Sequence, residues 1–282
     1  MKVIVHGGAG GEPDEPTPRQ TVLDEAAETG RKAETVVDAV EAAVHVLESS
    51  PRFNAGVGGA VQSDGEIRTD AGIMTSDRKA GAACSMPGVE HAVSAARAVM
   101  EETPHVLVSG DHAVSLAADF GVETGIDLWT EKSEERWEGY DAPDGAPSEH
   151  LEWLREKFGG ADTVGAVAYD GDKFAAATST GGRWLALAGR VGDVPQIGSG
   201  FYAAPAGAAS STGAGEDIAK STLTRRAVRH LESGSDAQEA ADRAIEEFAE
   251  LTGSSAGVIV LDRDGNAGSA FNSDAMQIGV TR

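Results

Sequence analysis

Apolar residues fall into two rhythms along the chain, one of three and four residues and one of two, and the changes between them mark the elements. Val36, Val40, Ala43, Val44 and Leu47 recur at helical spacing behind Thr35, whose hydroxyl suits an N-cap, until Ser50-Pro51 stops the helix. Similar spacing predicts helices over 21–30, 93–102, 111–120, 149–158 and 216–231, and another running from an Asp236 cap to Leu251. Short strands are predicted at 3–5, 70–74, 106–108, 258–261 and 267–271, the last two flanking a turn at Asp262-Arg263-Asp264-Gly265-Asn266. Two apolar runs, 162–170 and 174–182, sit either side of Gly171-Asp172 and read as a β-hairpin.

Strands at both ends and in the middle, with paired helices between them, imply sheets covered by helices. An αββα sandwich and a doubly wound sheet both satisfy this pattern. From Glu123 to about Pro147 the periodicity dissolves into acidic residues, Gly and Pro, with Trp129, Trp137 and Tyr140 interspersed, and the wider stretch 123–162 holds only the short helix predicted at 149–158. That stretch is expected to be the least ordered and the natural place for a proteolytic nick.

Composition narrows the class. The 282 residues are enough for one large α/β domain or two modest ones, and 40% apolar content supports a proper core. A formal net charge of −23 is spread along the chain, a field that repels nucleic acid and anionic membranes. Such a surface is expected of a halophilic, salt-solvated protein. The single Cys84, in a small-residue context, excludes an internal disulfide and reads as core. No apolar run reaches the roughly 20 residues of a membrane span, and 1–6 runs straight into a strand, so a cytoplasmic setting is expected.

Thr163 is the sharpest chemical candidate. It heads a buried strand behind the small, flexible lead-in Gly159-Gly160-Ala161-Asp162. A break of the Asp162–Thr163 peptide would give the threonine a free α-amine, whose ordinary pKa is about 7.7–8.0, beside its own hydroxyl. Threonine with an N-terminal amine is a nucleophile-plus-base pair. Thr is also common at strand heads simply because β-branched residues suit them. Other candidates are weaker. The seven histidines show no His-x-x-x-His pair, which argues against a transition-metal site. Gly253-Ser254-Ser255-Ala256-Gly257 matches the nucleophile-elbow pattern, but a helix precedes it and a strand follows, the reverse of what the elbow needs. Arg190 and Asp193, separated by Val191-Gly192, can project together and suit a zwitterion, or form a plain surface ion pair.

Six segments, taken together, resemble the plant-type (type 2) L-asparaginase/isoaspartyl aminopeptidase family of Ntn-hydrolases, related to glycosylasparaginase. They are His6-Gly7-Gly8-Ala9-Gly10, Phe53-Asn54-Ala55-Gly56, Asp162-Thr163-Val164-Gly165-Ala166-Val167, Thr178-Ser179-Thr180-Gly181-Gly182, Gly189-Arg190-Val191-Gly192-Asp193 and Thr212-Gly213-Ala214-Gly215-Glu216. The resemblance implies an α+β fold, a four-layer αββα sandwich over 1–282, matured by self-cleavage into an α chain 1–162 and a β chain 163–282. It implies Thr163 as nucleophile, Thr180 as the residue orienting its hydroxyl, Asn54 as support, and Thr212 with the Gly213 N–H as oxyanion hole. Arg190 would hold the substrate carboxylate and Asp193 its ammonium, assisted by Gly213 and Gly215. The implied reaction releases L-aspartate from L-asparagine or β-aspartyl dipeptides through a threonine ester, in a cytoplasmic homodimer of αβ units. No cofactor is expected for the chemistry. A structural sodium is expected on the backbone carbonyls of Leu47, Glu48, Ser50, Phe53, Ala55 and Val57.

The chain departs from the family's pattern in three places. Thr75-Ser76 stands where Asp-Gly is usual, Val194-Pro195 where Ser-Pro is usual, and Tyr202-Ala203-Ala204-Pro205 lacks the common polar residues. The Asp before Thr163 resembles glycosylasparaginase, and Thr180-Gly181-Gly182 the plant-type branch. A glycosylasparaginase-like amidase and a non-cleaving aspartate or asparagine binder are the alternative readings.

Overall fold

A computed structural model describes residues 1–143, 145–157 and 162–281. In chain order the elements are β1 (Lys2–Gly10), α1 (Pro16–Arg31), α2 (Val36–Glu48), β2 (Arg68–Thr75), β3 (Ala80–Pro87), α3 (Ala92–Glu102), β4 (Leu107–Ser109), α4 (Gly110–Asp119), α5 (Glu131–Glu138) and α6 (Pro147–Lys157). Then come β5 (Val164–Tyr169), β6 (Phe174–Thr180), β7 (Phe201–Ala204), β8 (Gly207–Gly213), α7 (Gly215–Ser221), α8 (Leu223–Glu232), α9 (Ala237–Thr252), β9 (Ala256–Asp262), β10 (Ala267–Phe271) and β11 (Ala275–Val280).

The strands form a seven-stranded sheet, β11-β1-β5-β6-β2-β3-β4, and a four-stranded sheet, β10-β9-β8-β7. The sheets face one another through β1, β5, β6 and β2 on one side and β7, β8 and β9 on the other. Helices α1, α2 and α3 cover the outer face of the large sheet, and α8 and α9 that of the small one. The result is the four-layer αββα sandwich, not a doubly wound sheet.

Strand alternation sorts side chains between layers. On β5, Val164, Ala166 and Ala168 join the helix-side core with Val40, Val44 and Leu47 of α2, while Val167 lies between the sheets with Ile4, Phe174, Phe201 and Ile259. Both faces are buried, which explains why 164–168 reads as an unbroken apolar run. Thr163 has the phase of Gly165 and Val167 and so faces the inter-sheet space. Thr178 and Thr180 share that face on β6, whereas Ser179 points to the helices.

Caps behave as expected. The Thr35 side chain accepts from the Asp38 N–H at 3.1 Å, and Asp236 from Glu239 at 2.9 Å, each contact contributing about 1 kcal/mol. Three differences from the sequence reading have physical causes. The stretch 123–147 is not irregular throughout, because Thr130 and Ser133 cap α5 reciprocally. The helix expected over 216–231 is two helices, broken at Thr222 in the left-handed region (φ 53°). Strands β3, β7, β8 and β11 complete the sheets from small and polar residues with weak alternation. The lead-in 159–161 lies outside the described residues.

Candidate active site

The site grows from two polar rows across the inner face of the large sheet. In the first, His6 pairs with Gly165, and Gly165 with Thr178. The small sheet's Ser210 enters this row, 2.9 Å from His6 Nε2 and 2.7 Å from Thr178 Oγ1. Gly165 makes room for it, since a Cβ there would lie 2.0 Å from Ser210 Oγ. Burial drives the His6 pKa down to about 3, partly opposed by the Thr163 backbone, so the imidazole is neutral and serves as a sheet-to-sheet polar link.

One row further on lie Thr163, Thr180 and Asp70, the last two paired in register. Thr163 is 4% exposed and directs its hydroxyl to Thr180 Oγ1 at 3.3 Å. Thr180 donates in turn to the Asp162 carbonyl at 3.1 Å, and its oxygen accepts the Gly182 N–H at 3.0 Å. Asn54 donates to the same Asp162 carbonyl at 2.6 Å and to that of Gly182 at 2.6 Å. Its Oδ1 accepts the Ala60 N–H at 2.8 Å, which fixes the amide's orientation. The Asp162 carbonyl therefore receives two donors at once, while the hydroxyl of the next residue is held beside one of them. On the side-chain side, Arg19 lies 3.8 Å from the Asp162 carboxylate. A cleft of about 540 Å³ opens there, lined by Gly8, Gly10, Arg19, Arg52 and Lys132.

From the small sheet, Thr212 follows Ser210 on the same face of β8, fully buried, and accepts the Ala9 N–H at 3.3 Å. Gly213 closes the strand at φ 133°, where a Cβ would lie 2.5 Å from the Ser255 carbonyl. Thr163 and Thr212 thus project from opposing sheets, each two residues from a member of the first polar row.

Beyond them lies a charged cradle. The loop after β6 carries Arg190 and Asp193, held by Gln62, which accepts the Gly189 N–H at 2.8 Å. Arg190 Nε donates to Glu216 at 2.7 Å, so the ion pair runs to α7 rather than to Asp193. Arg190 Nη2 and Asp193 Oδ2 are both buried and without a hydrogen-bond partner among the described residues. Gly215 separates the pair: a Cβ there would sit 2.7 Å from Arg190 Nη2 and 2.7 Å from Asp193 Oδ1. A buried donor and acceptor left open across a glycine are what a zwitterion would satisfy. Burial pushes Asp193 up to about 7, with Arg190 pulling down and Glu216 and Asp70 pushing up.

Asp70 is a member that sequence reasoning did not single out. It is buried, accepts the Ser85 N–H at 2.7 Å, and is raised by burial to about 7, with Arg190 opposing. Its signal was a lone carboxylate inside an alternating apolar strand. Other candidates fall away. Ser255 is exposed in a helix-to-strand connection, with its carbonyl taken by Ala214 N–H at 3.0 Å. The buried Cys84 thiol is pushed up to about 12, which removes its nucleophilicity. Among the described residues no helix is long and apolar enough to cross a membrane.

The chain is 40% identical over 290 residues to the plant-type L-asparaginase of Pyrococcus furiosus, covering 98% of this chain and 94% of that one. It is 39% identical over 281 residues to the isoaspartyl peptidase/L-asparaginase of Danio rerio, covering 96% and 89%. The protein of that name from Rattus norvegicus is 37% identical over 291 residues, covering 98% and 84%. Residues 1–282 match the Asparaginase_2 (asparaginase) family along their full length, and the chain belongs to that family.

Proposed function

We propose that the chain cuts its own Asp162–Thr163 peptide and then hydrolyses L-asparagine and β-aspartyl dipeptides with the freed Thr163. The single observation that carries this reading is the double donation to the Asp162 carbonyl, from Asn54 at 2.6 Å and Thr180 at 3.1 Å, beside the Thr163 hydroxyl. Those donors polarise the carbonyl and stabilise negative charge on its oxygen when Thr163 Oγ attacks its carbon. The C–N bond breaks, the nitrogen takes a proton and becomes the Thr163 α-amine, and water hydrolyses the resulting Asp162 ester.

In turnover the amine takes the proton from Thr163 Oγ, which attacks the side-chain carbonyl of the substrate. Thr212 Oγ and the Gly213 N–H receive the oxyanion. Arg190 takes the α-carboxylate and Asp193 the α-ammonium, a two-point hold that fixes the reacting carbonyl over Thr163. Ammonia or an amino acid leaves with the proton, and water then releases aspartate. The names of the Pyrococcus and Danio relatives support this substrate pair. Assay of asparagine and isoaspartyl-leucine for released aspartate tests it; an enzyme that releases aspartate from neither would refute it.

A sodium ion belongs to the same reading. The loop after α2 packs Gly56 on the Glu48 carbonyl, which a Cβ would approach to 2.3 Å, and the carbonyls of Phe53, Ala55 and Val57 carry no hydrogen bond among the described residues. With those of Leu47, Glu48 and Ser50, which accept backbone N–H groups here, they would supply an oxygen-only set suited to a hard cation. Such an ion would stiffen the loop that presents Asn54. The homodimer of αβ units, the cytoplasmic setting and the halophilic surface, with 46 acidic against 23 basic residues, complete the reading. Light scattering tests the first, and a melting temperature that rises in molar KCl the last.

A further inference from the structure

On the outer face of the large sheet, away from Thr163, the fold assembles a cluster that the sequence spacing concealed. His45 and Glu48 are three apart on α2, hence on one face, and His91 lies just before the first turn of α3. One donor atom from each lies within 4.8 Å of the other two. The two imidazoles stack with centroids 4.1 Å apart, and His91 Nδ1 lies 3.5 Å from Glu48 Oε2.

Glu48 is the informative member. Its side chain is fully buried, and Oε1 is well held, accepting from Val93 N–H at 3.1 Å and Ser179 Oγ at 2.6 Å. Among the described residues Oε2 and His91 Nδ1 are both buried and make no hydrogen bond, and they face each other only at ion-pair distance. A buried carboxylate oxygen left open is costly unless a cation takes it. His45 is steadied by Ser94 at 2.7 Å. The nearby Arg97 is engaged by Asp38, Glu41 and Glu101, which offsets its repulsion of an incoming cation.

We propose that His45, Glu48 and His91 form a binding site for a divalent transition-metal cation of the zinc type. Two imidazole nitrogens and one carboxylate oxygen are a ligand set that zinc favours, and three protein ligands leave a position open to water. His45 and His91 line a cleft of about 510 Å³ between α2, α3 and the segment after α4, which gives water access to the cluster. Both histidines are about one-third exposed and can rotate to close on a metal, whereas Glu48 is already fixed by Val93 and Ser179. The bound ion would tie α2 to α3 and hold Ser179, the neighbour of Thr180, from behind.

The test uses the tag-free enzyme, stripped by chelator, re-equilibrated with micromolar Zn²⁺ and freed of excess by gel filtration. Elemental analysis is expected to find about one zinc per chain, and Co²⁺ to give the visible bands of a four-coordinate site. His91→Ala and His45→Gln are expected to lose most of the retained metal and the zinc-dependent rise in melting temperature. His105→Ala and His112→Ala are expected to keep both. Because the first two variants lie outside the catalytic residues, aspartate release by the stripped proteins reports on folding and is expected to persist. A wild-type protein that retains no zinc, or a His45→Gln/His91→Ala double variant that retains as much as wild type, would overturn the proposal.

Discussion

Thr180 Oγ1 lies 3.3 Å from the Thr163 hydroxyl and donates to the Asp162 carbonyl at 3.1 Å, so one side chain touches both partners in the same peptide bond. Thr180→Val keeps the shape and removes the hydroxyl. Self-cleavage is expected to slow by roughly 10²–10³-fold, the usual effect of losing one oxyanion donor. Thr180→Ser should restore most of the rate. The time course of precursor disappearance on a gel checks this, and an unchanged rate in the valine variant would remove Thr180 from the cleavage step.

Gly215→Ala places a methyl 2.7 Å from both Arg190 Nη2 and Asp193 Oδ1. The two charged groups must spread, and the substrate's carboxylate and ammonium no longer meet both. KM for asparagine is expected to rise about 10–100-fold, corresponding to about 1.4–2.7 kcal/mol of lost binding, with little change in cleavage of the precursor. Steady-state kinetics on the matured variant measure the split.

Asp193 must be ionised to hold an ammonium, and its pKa is raised to about 7. The free enzyme therefore carries the binding-competent carboxylate above that value and loses it below. kcat/KM is expected to fall as pH drops below about 7, approaching about tenfold per unit. Once bound, the ammonium favours the carboxylate, so the limb in kcat should lie at lower pH. A kcat/KM profile that stays level from pH 7 to pH 5 would contradict the assignment.

Asp70 gives a prediction about stability rather than turnover. Its folded pKa, about 7, exceeds the ordinary 3.8, so between those values the folded chain binds a proton that the unfolded chain does not. Stability from this group is full below about pH 4 and declines as pH rises to about 7. Asp70→Asn keeps an acceptor for Ser85 and removes the charge. It is expected to be more stable than wild type at pH 8, on the order of 2 kcal/mol, and the gap should close near pH 4. Denaturant melts at the two pH values decide this; a variant weaker than wild type at pH 8 would reverse the sign.

Much of this was legible in the residues and some could not be. The cap at Thr35 and the Gly171-Asp172 hairpin follow from local chemistry and alternation, and the fold used them unchanged. The break at Thr222 left no trace, because a threonine in the left-handed region is imposed by packing rather than preferred by the residue. Helix α5 was hidden because Glu131–Glu138 has almost no apolar stripe and rests on its capping pair. Asp70 became a site member only through the pairing of β2 with β6, and His6 and Ser210 only when two sheets met. His45 and His91 illustrate the limit most clearly: no local spacing links them, and only the packing of α3 against α2 brings their rings together.

The most direct measurement is the intact mass and N-terminal sequence of the purified wild-type protein beside Thr163→Ala. Wild type is expected to give two chains, 1–162 and 163–282, the second beginning at Thr163. The alanine variant should remain one chain and release aspartate at least about 10⁴-fold more slowly. A wild-type preparation that hydrolyses asparagine while its Asp162–Thr163 bond stays whole would contradict the central claim.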